Sequence, residues 1–149
     1  LNALRIEKGF VHWGNDMAYT EAPHQLALGF ACKPNKPVSF IGRDAYLARK
    51  EEGKGPFLCS VKLRDPNPIL HHNEPVLRNG KVVGYVTSGA YGYTSGSAVG
   101  LCLVSLPDGE TDVGSLEIGE FAVVVEGVTF NADVSLAPFY DPESKNMLG

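Results

Sequence analysis

From Phe57 the apolar positions fall on every second residue, with Phe57, Cys59, Val61 and Leu63 on one side and Leu58, Ser60, Lys62 and Arg64 on the other. A period of two predicts a strand with one face turned to a core. The stretch Asp65-Pro66-Asn67-Pro68 closes that strand as a loop. Glu74–Leu77 and Val82–Val86 then flank Asn79-Gly80, a pair that accepts the positive φ values of a type I′ turn, so two paired strands are expected here. Val99–Val104, Gly119–Val125 and Val128–Val134 complete a set of short strands, separated by turns such as Leu106-Pro107-Asp108-Gly109 and Glu126-Gly127. Such a set buries its edges best by closing into a barrel or folding as a sandwich. The glycine-rich run Gly84 to Gly92 has no Lys-Ser/Thr pair after it, and reads as turn geometry rather than a phosphate cradle.

The first third is patterned differently. Leu4, Ile6, Phe10 and Val11 carry apolar character to Trp13-Gly14, where Asn15 and Asp16 supply a turn. Leu26 to Cys32 forms a second apolar stretch between Pro23 and the surface cluster Lys33-Pro34-Asn35-Lys36-Pro37. From Gly42 a short helix is expected, with Gly42 as N-cap, Asp44 near the positive end of the dipole, and Gly53, Gly55 and Pro56 as its stop. The chain therefore divides near Gly53 to Pro56, an α+β part at 1–55 preceding an all-β part at 56–149.

Length and composition narrow the class. At 149 residues with 44% hydrophobic content, the chain can bury a core without disulfide or metal staples. A net charge of −4 supplies no long-range attraction for nucleic acid or an anionic bilayer, so neither is expected as a partner. Cys32, Cys59 and Cys102 lie far apart among apolar neighbours and read as buried thiols of a reducing compartment, cytoplasmic or, in a eukaryote, the mitochondrial matrix. The chain opens at Leu1 directly in patterned sequence, as a piece of a longer protein would.

Most catalytic constellations fail on spacing. His71 and His72 are adjacent and have no third ligand at helical or hairpin spacing, so no metal site is expected. Ser88, Ser95 and Ser97 lie near glycines but not in G-x-S-x-G, and no catalytic residue is assigned. The acidic residues Glu51-Glu52 and Asp108, Glu110 and Asp112 lie in polar stretches and read as solvated faces. Arg5 differs, because it stands between Leu4 and Ile6 and needs a carboxylate, carbonyls or an anionic ligand. It pairs either with Glu7 or Asp16, or with a ligand anion. Trp13 is either plain core or a flat wall for an aromatic ligand.

Several motifs together resemble one family. Leu4-Arg5-Ile6-Glu7-Lys8-Gly9 followed by Trp13-Gly14-Asn15-Asp16 is similar to the "LRLE-x-G … YG-x-D" segment of the folate-dependent aminomethyltransferases, which include the glycine cleavage T protein and the folate-binding half of dimethylglycine and sarcosine dehydrogenases. Phe40-Ile41-Gly42-Arg43-Asp44-Ala45 resembles their "FIGREAL" element, and Gly84-Tyr85-Val86-Thr87-Ser88-Gly89 their "G-x-VTSG" hairpin. Pro138-Phe139-Tyr140-Asp141-Pro142 and the Trp at position 13 lean toward the dehydrogenase branch. One departure stands out: Pro23-His24-Gln25-Leu26-Ala27-Leu28 keeps the frame of "P-x-E-A-x-L" but has Gln25 where relatives carry Glu.

The resemblance implies the last part of a folate-binding α+β domain followed by a six-stranded Greek-key barrel. It implies tetrahydrofolate as cofactor of the full-length protein, with FAD in a further N-terminal domain if the dehydrogenase type holds. It also implies Arg5, Trp13 and Tyr140 as cofactor contacts, and a methylated amine or aminomethyl donor and the rest of the parent chain as partners. The carboxylate that members place near the folate N5 belongs to upstream sequence. A plain aminomethyltransferase and a non-catalytic folate- or partner-binding module are the two other readings.

Overall fold

A computed structural model describes residues 1–148. Helix α1 (Asn2–Glu7), 3-10 turns at Pro23–Leu26 and Gly29–Ala31, and helix α2 (Arg43–Glu52) lead into six strands: β1 (Phe57–Leu63), β2 (Pro75–Arg78), β3 (Lys81–Gly92), β4 (Ser97–Val104), β5 (Phe121–Val125) and β6 (Val128–Ser135). A 3-10 turn at Val113–Glu117 interrupts the β4–β5 connection, and a last helix, α3, spans Lys145–Leu148. The strands close in the order β1-β4-β3-β2-β5-β6, every pair antiparallel. This is the expected Greek-key barrel, in which β4 returns past its own hairpin to lie beside β1. Closure leaves the sheet without a free edge.

The β2–β3 hairpin turns where Asn-Gly predicts it, with φ of 50° at Asn79 and 77° at Gly80. Helix α2 is bounded by Gly42 and Gly53, both left-handed. Residues 1–56 form helices and turns, and their strand content is one isolated bridge between Trp13 and Met17, so the α+β character expected of this segment reduces here to its helices. The glycines from Gly84 to Gly92 are not turns either, because β3 runs through them unbroken as a strand of 12 residues.

The alternation along β1 separates two buried faces rather than a core face and a wet one. Phe57, Cys59, Val61 and Leu63 fill the barrel interior with Val76, Val86, Cys102, Val104 and Val123. Leu58 points outward and packs with Val99, Leu101 and Leu103 against Ile6 of α1 and Leu26. The N-terminal segment thus covers the outer face of β1 and β4, and β4 is buried at all eight positions. A strand covered on both faces reads as a continuous apolar run, which is what Ser97–Val104 shows.

Gln25 fastens this cover to the barrel. Its side-chain oxygen accepts from the Ala22 N–H at 2.7 Å, and its amide donates to the carbonyls of Lys54 (3.0 Å) and Pro56 (3.2 Å). A carboxylate could not donate to those two carbonyls, so glutamine suits the position in this chain. His24 beside it packs edge-on to Tyr46 of α2 and to Phe57. Burial, helped by Lys50 and Arg49, holds its pKa below the ordinary imidazole value.

The thiols follow the same packing. Cys59 and Cys102 face each other across β1 and β4 inside the barrel, whereas Cys32, also expected to be buried, is only half-buried. Burial, with a smaller contribution from Glu117, pushes the Cys59 thiol up to about 12, and burial raises Cys102 as well. Since the thiolate is the reactive form, Cys32 alone is expected to react with a disulfide reagent at pH 8 in the native protein. All three thiols should titrate after unfolding in guanidinium, and rapid native labelling of two or more would contradict the packing.

Candidate functional site

Helix α1 and its C-cap Lys8 carry three charges, and each bonds a different part of the molecule. Glu7 is 3% exposed, and its Oε1 accepts from the Thr94 and Ser95 N–H groups and the Ser95 hydroxyl, which fixes the β3–β4 turn. Lys8 is 8% exposed; its ammonium donates to the Asp141 carbonyl and to Ser144 Oγ, tying down the C-terminal segment. Both charges are withdrawn from water, and both have the hydrogen-bond partners such a position demands.

Arg5 is the third. Its Nη1 donates to Asp16 Oδ2 at 2.7 Å and to the Phe10 carbonyl at 3.1 Å, its Nε to Asn2 Oδ1 at 2.7 Å, and its Nη2 to Ser88 Oγ at 2.9 Å. Four of its five N–H donors are engaged by protein, and one Nη2 proton is left over. Asp16 is fully buried. Its Oδ2 also accepts from the His12 N–H at 2.8 Å, and its Oδ1 from Thr87 Oγ1 at 2.6 Å.

A bulge makes this meeting possible. In a regular strand Thr87 and Ser88 would point to opposite faces. The β3–β4 register shifts between Val86 and Ser88, which leaves Thr87 as the extra residue, and both hydroxyls reach the α1 side. The "LRLE-x-G", "G-N-D" and "VTSG" segments therefore converge on one buried cluster of Arg5, Asp16, Thr87 and Ser88.

Beside the cluster lies an open cavity of about 220 Å3 whose rim holds Arg5, Ser88, Asn15, His71 and His72. No carboxylate lines it. Ser88 Oγ is occupied as acceptor for Arg5 and has no imidazole partner, so no acyl-transfer triad forms. Among the described residues, no group of three or more His, Cys, Asp or Glu could hold a metal ion. None of the helices described is long and apolar enough to cross a membrane.

Of the residues that the resemblance points to, Arg5 alone reaches this cavity. Trp13, expected either as core or as a flat wall for a ligand, is 64% exposed on the loop that carries Asp16 and does not line the cavity. Tyr140 is half-buried in the C-terminal segment, where its N–H donates to the Glu7 carbonyl. Thr87, His71 and His72 had no site role in the sequence reading. The "VTSG" motif signalled Thr87, but nothing local places the 71–72 dipeptide beside Arg5.

Residues 57–141 match the glycine cleavage T-protein C-terminal barrel domain. The chain belongs to that family. Over its full length it is 38% identical to a 4-methylaminobutanoate oxidase (formaldehyde-forming) of Paenarthrobacter nicotinovorans and 30% identical to the mitochondrial sarcosine dehydrogenase of Homo sapiens. It spans 17% and 16% of those two proteins, so it corresponds to a small part of each. Among solved structures, it superimposes on the glycine cleavage system aminomethyltransferase T from Bartonella henselae with a TM-score of 0.76 at 22% identity, covering 95% of this chain and 38% of that one. That likeness establishes the fold: this is a T-protein-type barrel with its N-terminal cover.

Proposed function

We propose that this barrel is part of a folate-dependent one-carbon enzyme of the dimethylglycine or sarcosine dehydrogenase type, in which the one-carbon unit of a methylated amine passes to tetrahydrofolate. The observation that carries the reading is the convergence of the family's motifs on Arg5, whose unspent Nη2 proton lies at a polar cavity. The 38% identity, over the whole of this chain, to a 4-methylaminobutanoate oxidase favours this type over a plain aminomethyltransferase.

The residues fit an acceptor group of the cofactor better than its ring. Arg5 offers a charge-assisted donor held in place by Asp16 and Ser88, while the exposed Trp13 forms no wall of the cavity. Bound tetrahydrofolate would supply the nitrogen that accepts the one-carbon unit. This chain's part is to bind and orient, because Arg5, with four of its five N–H donors held by protein, turns the remaining one to the cavity.

Mass spectrometry of the full-length protein is expected to find bound flavin and folate. Folate without flavin, together with transfer from an aminomethyl-lipoyl carrier, would make it an aminomethyltransferase; neither cofactor would make it a binding module without catalysis. The 149-residue chain alone is expected to show no micromolar affinity for tetrahydrofolate by calorimetry, because the barrel supplies one wall of the site.

A further inference from the structure

We infer that the cavity beside Arg5 receives the carboxylate end of the ligand rather than its ring, and that His71 and His72 are specificity residues for that end. This rests on the folate reading above, since tetrahydrofolate carries a flat pteridine at one end and glutamyl carboxylates at the other.

The chemistry of the rim selects the end. Arg5, His71, His72, Asn15 and Ser88 present donors, and no aromatic wall of Phe, Tyr or Trp lines the cavity on which a heteroaromatic ring could stack. Planar guanidinium and imidazole N–H groups around a small polar space suit a carboxylate.

Charge points the same way. The one carboxylate that touches Arg5, Asp16, lies behind it and is fully buried, with its oxygens shared among Arg5, His12 N–H and Thr87 Oγ1. Its charge offsets that of Arg5 without occupying the Nη2 proton. A second carboxylate therefore finds a donor already oriented and meets no acidic side chain on the rim. His71 and His72 come from the opposite side, on the β1–β2 loop. That loop is anchored by Leu70, which is wholly buried in the barrel, and by Glu74, whose Oε1 accepts the His71 N–H at 2.7 Å. Both histidines are exposed, so their removal takes no core contact away.

The test is calorimetry on the full-length protein with tetrahydrofolate and with 6-methyltetrahydropterin, which keeps the ring and has no carboxylate. The double variant His71→Ala/His72→Ala is expected to weaken tetrahydrofolate binding about tenfold and leave 6-methyltetrahydropterin binding unchanged. Equal loss for both ligands, or no loss for either, would overturn the inference while leaving the folate reading intact. A wild-type protein that binds neither ligand would sink the folate reading and this inference with it. Circular dichroism and the melting temperature of the variant should match wild type.

Discussion

Asp16→Ala is expected to lower the stability of the protein by about 3–5 kcal/mol, the usual result of stripping the partner from a buried charge. The carboxylate is fully buried and accepts three hydrogen bonds, from Arg5 Nη1, the His12 N–H and Thr87 Oγ1. Alanine leaves all three donors facing a void, and Arg5, with a side chain 16% exposed, has little water to turn to. Against a total stability of about 5–15 kcal/mol that loss is large. A denaturant midpoint measured at constant m-value reads it. Two comparisons sharpen the result. Asp133→Ala removes the partner of Arg64 in an ion pair whose members are 48% and 63% exposed, and should shift stability by no more than about 1 kcal/mol. The double variant Arg5→Leu/Asp16→Leu should cost less than its two single changes added, because each single change strands the other's charge. A loss of under about 1 kcal/mol for Asp16→Ala would mean that the cluster does not hold α1 to the barrel.

What the sequence made legible was local. The Asn79-Gly80 turn, the glycine limits of α2 and the period of two along β1 are each set by neighbours a few residues away, and each stands where it was expected. The two candidate partners of Arg5 were both in view, and helix geometry chooses between them. Glu7 lies two residues on in α1, and side chains at that spacing do not face each other. Glu7 therefore caps the β3–β4 turn, and Asp16 takes Arg5. What could not be read depends on residues distant in sequence. Leu58 is buried outside the barrel because Ile6 and Leu26 cover it. The glycines of β3 look like turn residues in isolation, and the bulge at Thr87 leaves no mark in the period. Trp13 was open between core and a ligand wall, and it stands exposed and off the cavity while the smaller Ile6 is buried. The cavity was illegible for the same reason, since its two sides come from α1 and from the β1–β2 loop.

Gly89→Ala should be the most damaging single methyl added to the barrel near the site. A Cβ built at Gly89 would lie 2.3 Å from both the carbonyl carbon and oxygen of Leu70, and 2.6 Å from its Cβ. Two of those three atoms are carbonyl backbone atoms, so no rotamer change relieves the contact. Leu70 is itself fully buried in the barrel interior, and moving it opens the packing around Val61 and Val86. Overpacking of this kind costs about 1–3 kcal/mol and occasionally more, and the backbone position of the clash puts the expected loss at about 3 kcal/mol. For a chain of this size each kcal/mol lowers the melting temperature by roughly 2–4 °C, so a fall of roughly 6–12 °C is expected by calorimetry. The effect also reaches the site. Leu70 immediately precedes His71 and His72, so a β1–β2 loop pushed outward carries both imidazoles away from Arg5. On the folate reading, Gly89→Ala in the full-length protein should therefore weaken tetrahydrofolate binding at temperatures where the barrel remains folded. An unchanged melting temperature would show that the Gly89–Leu70 contact can relax. A lowered one with unchanged affinity would separate the packing of the loop from the placement of its histidines.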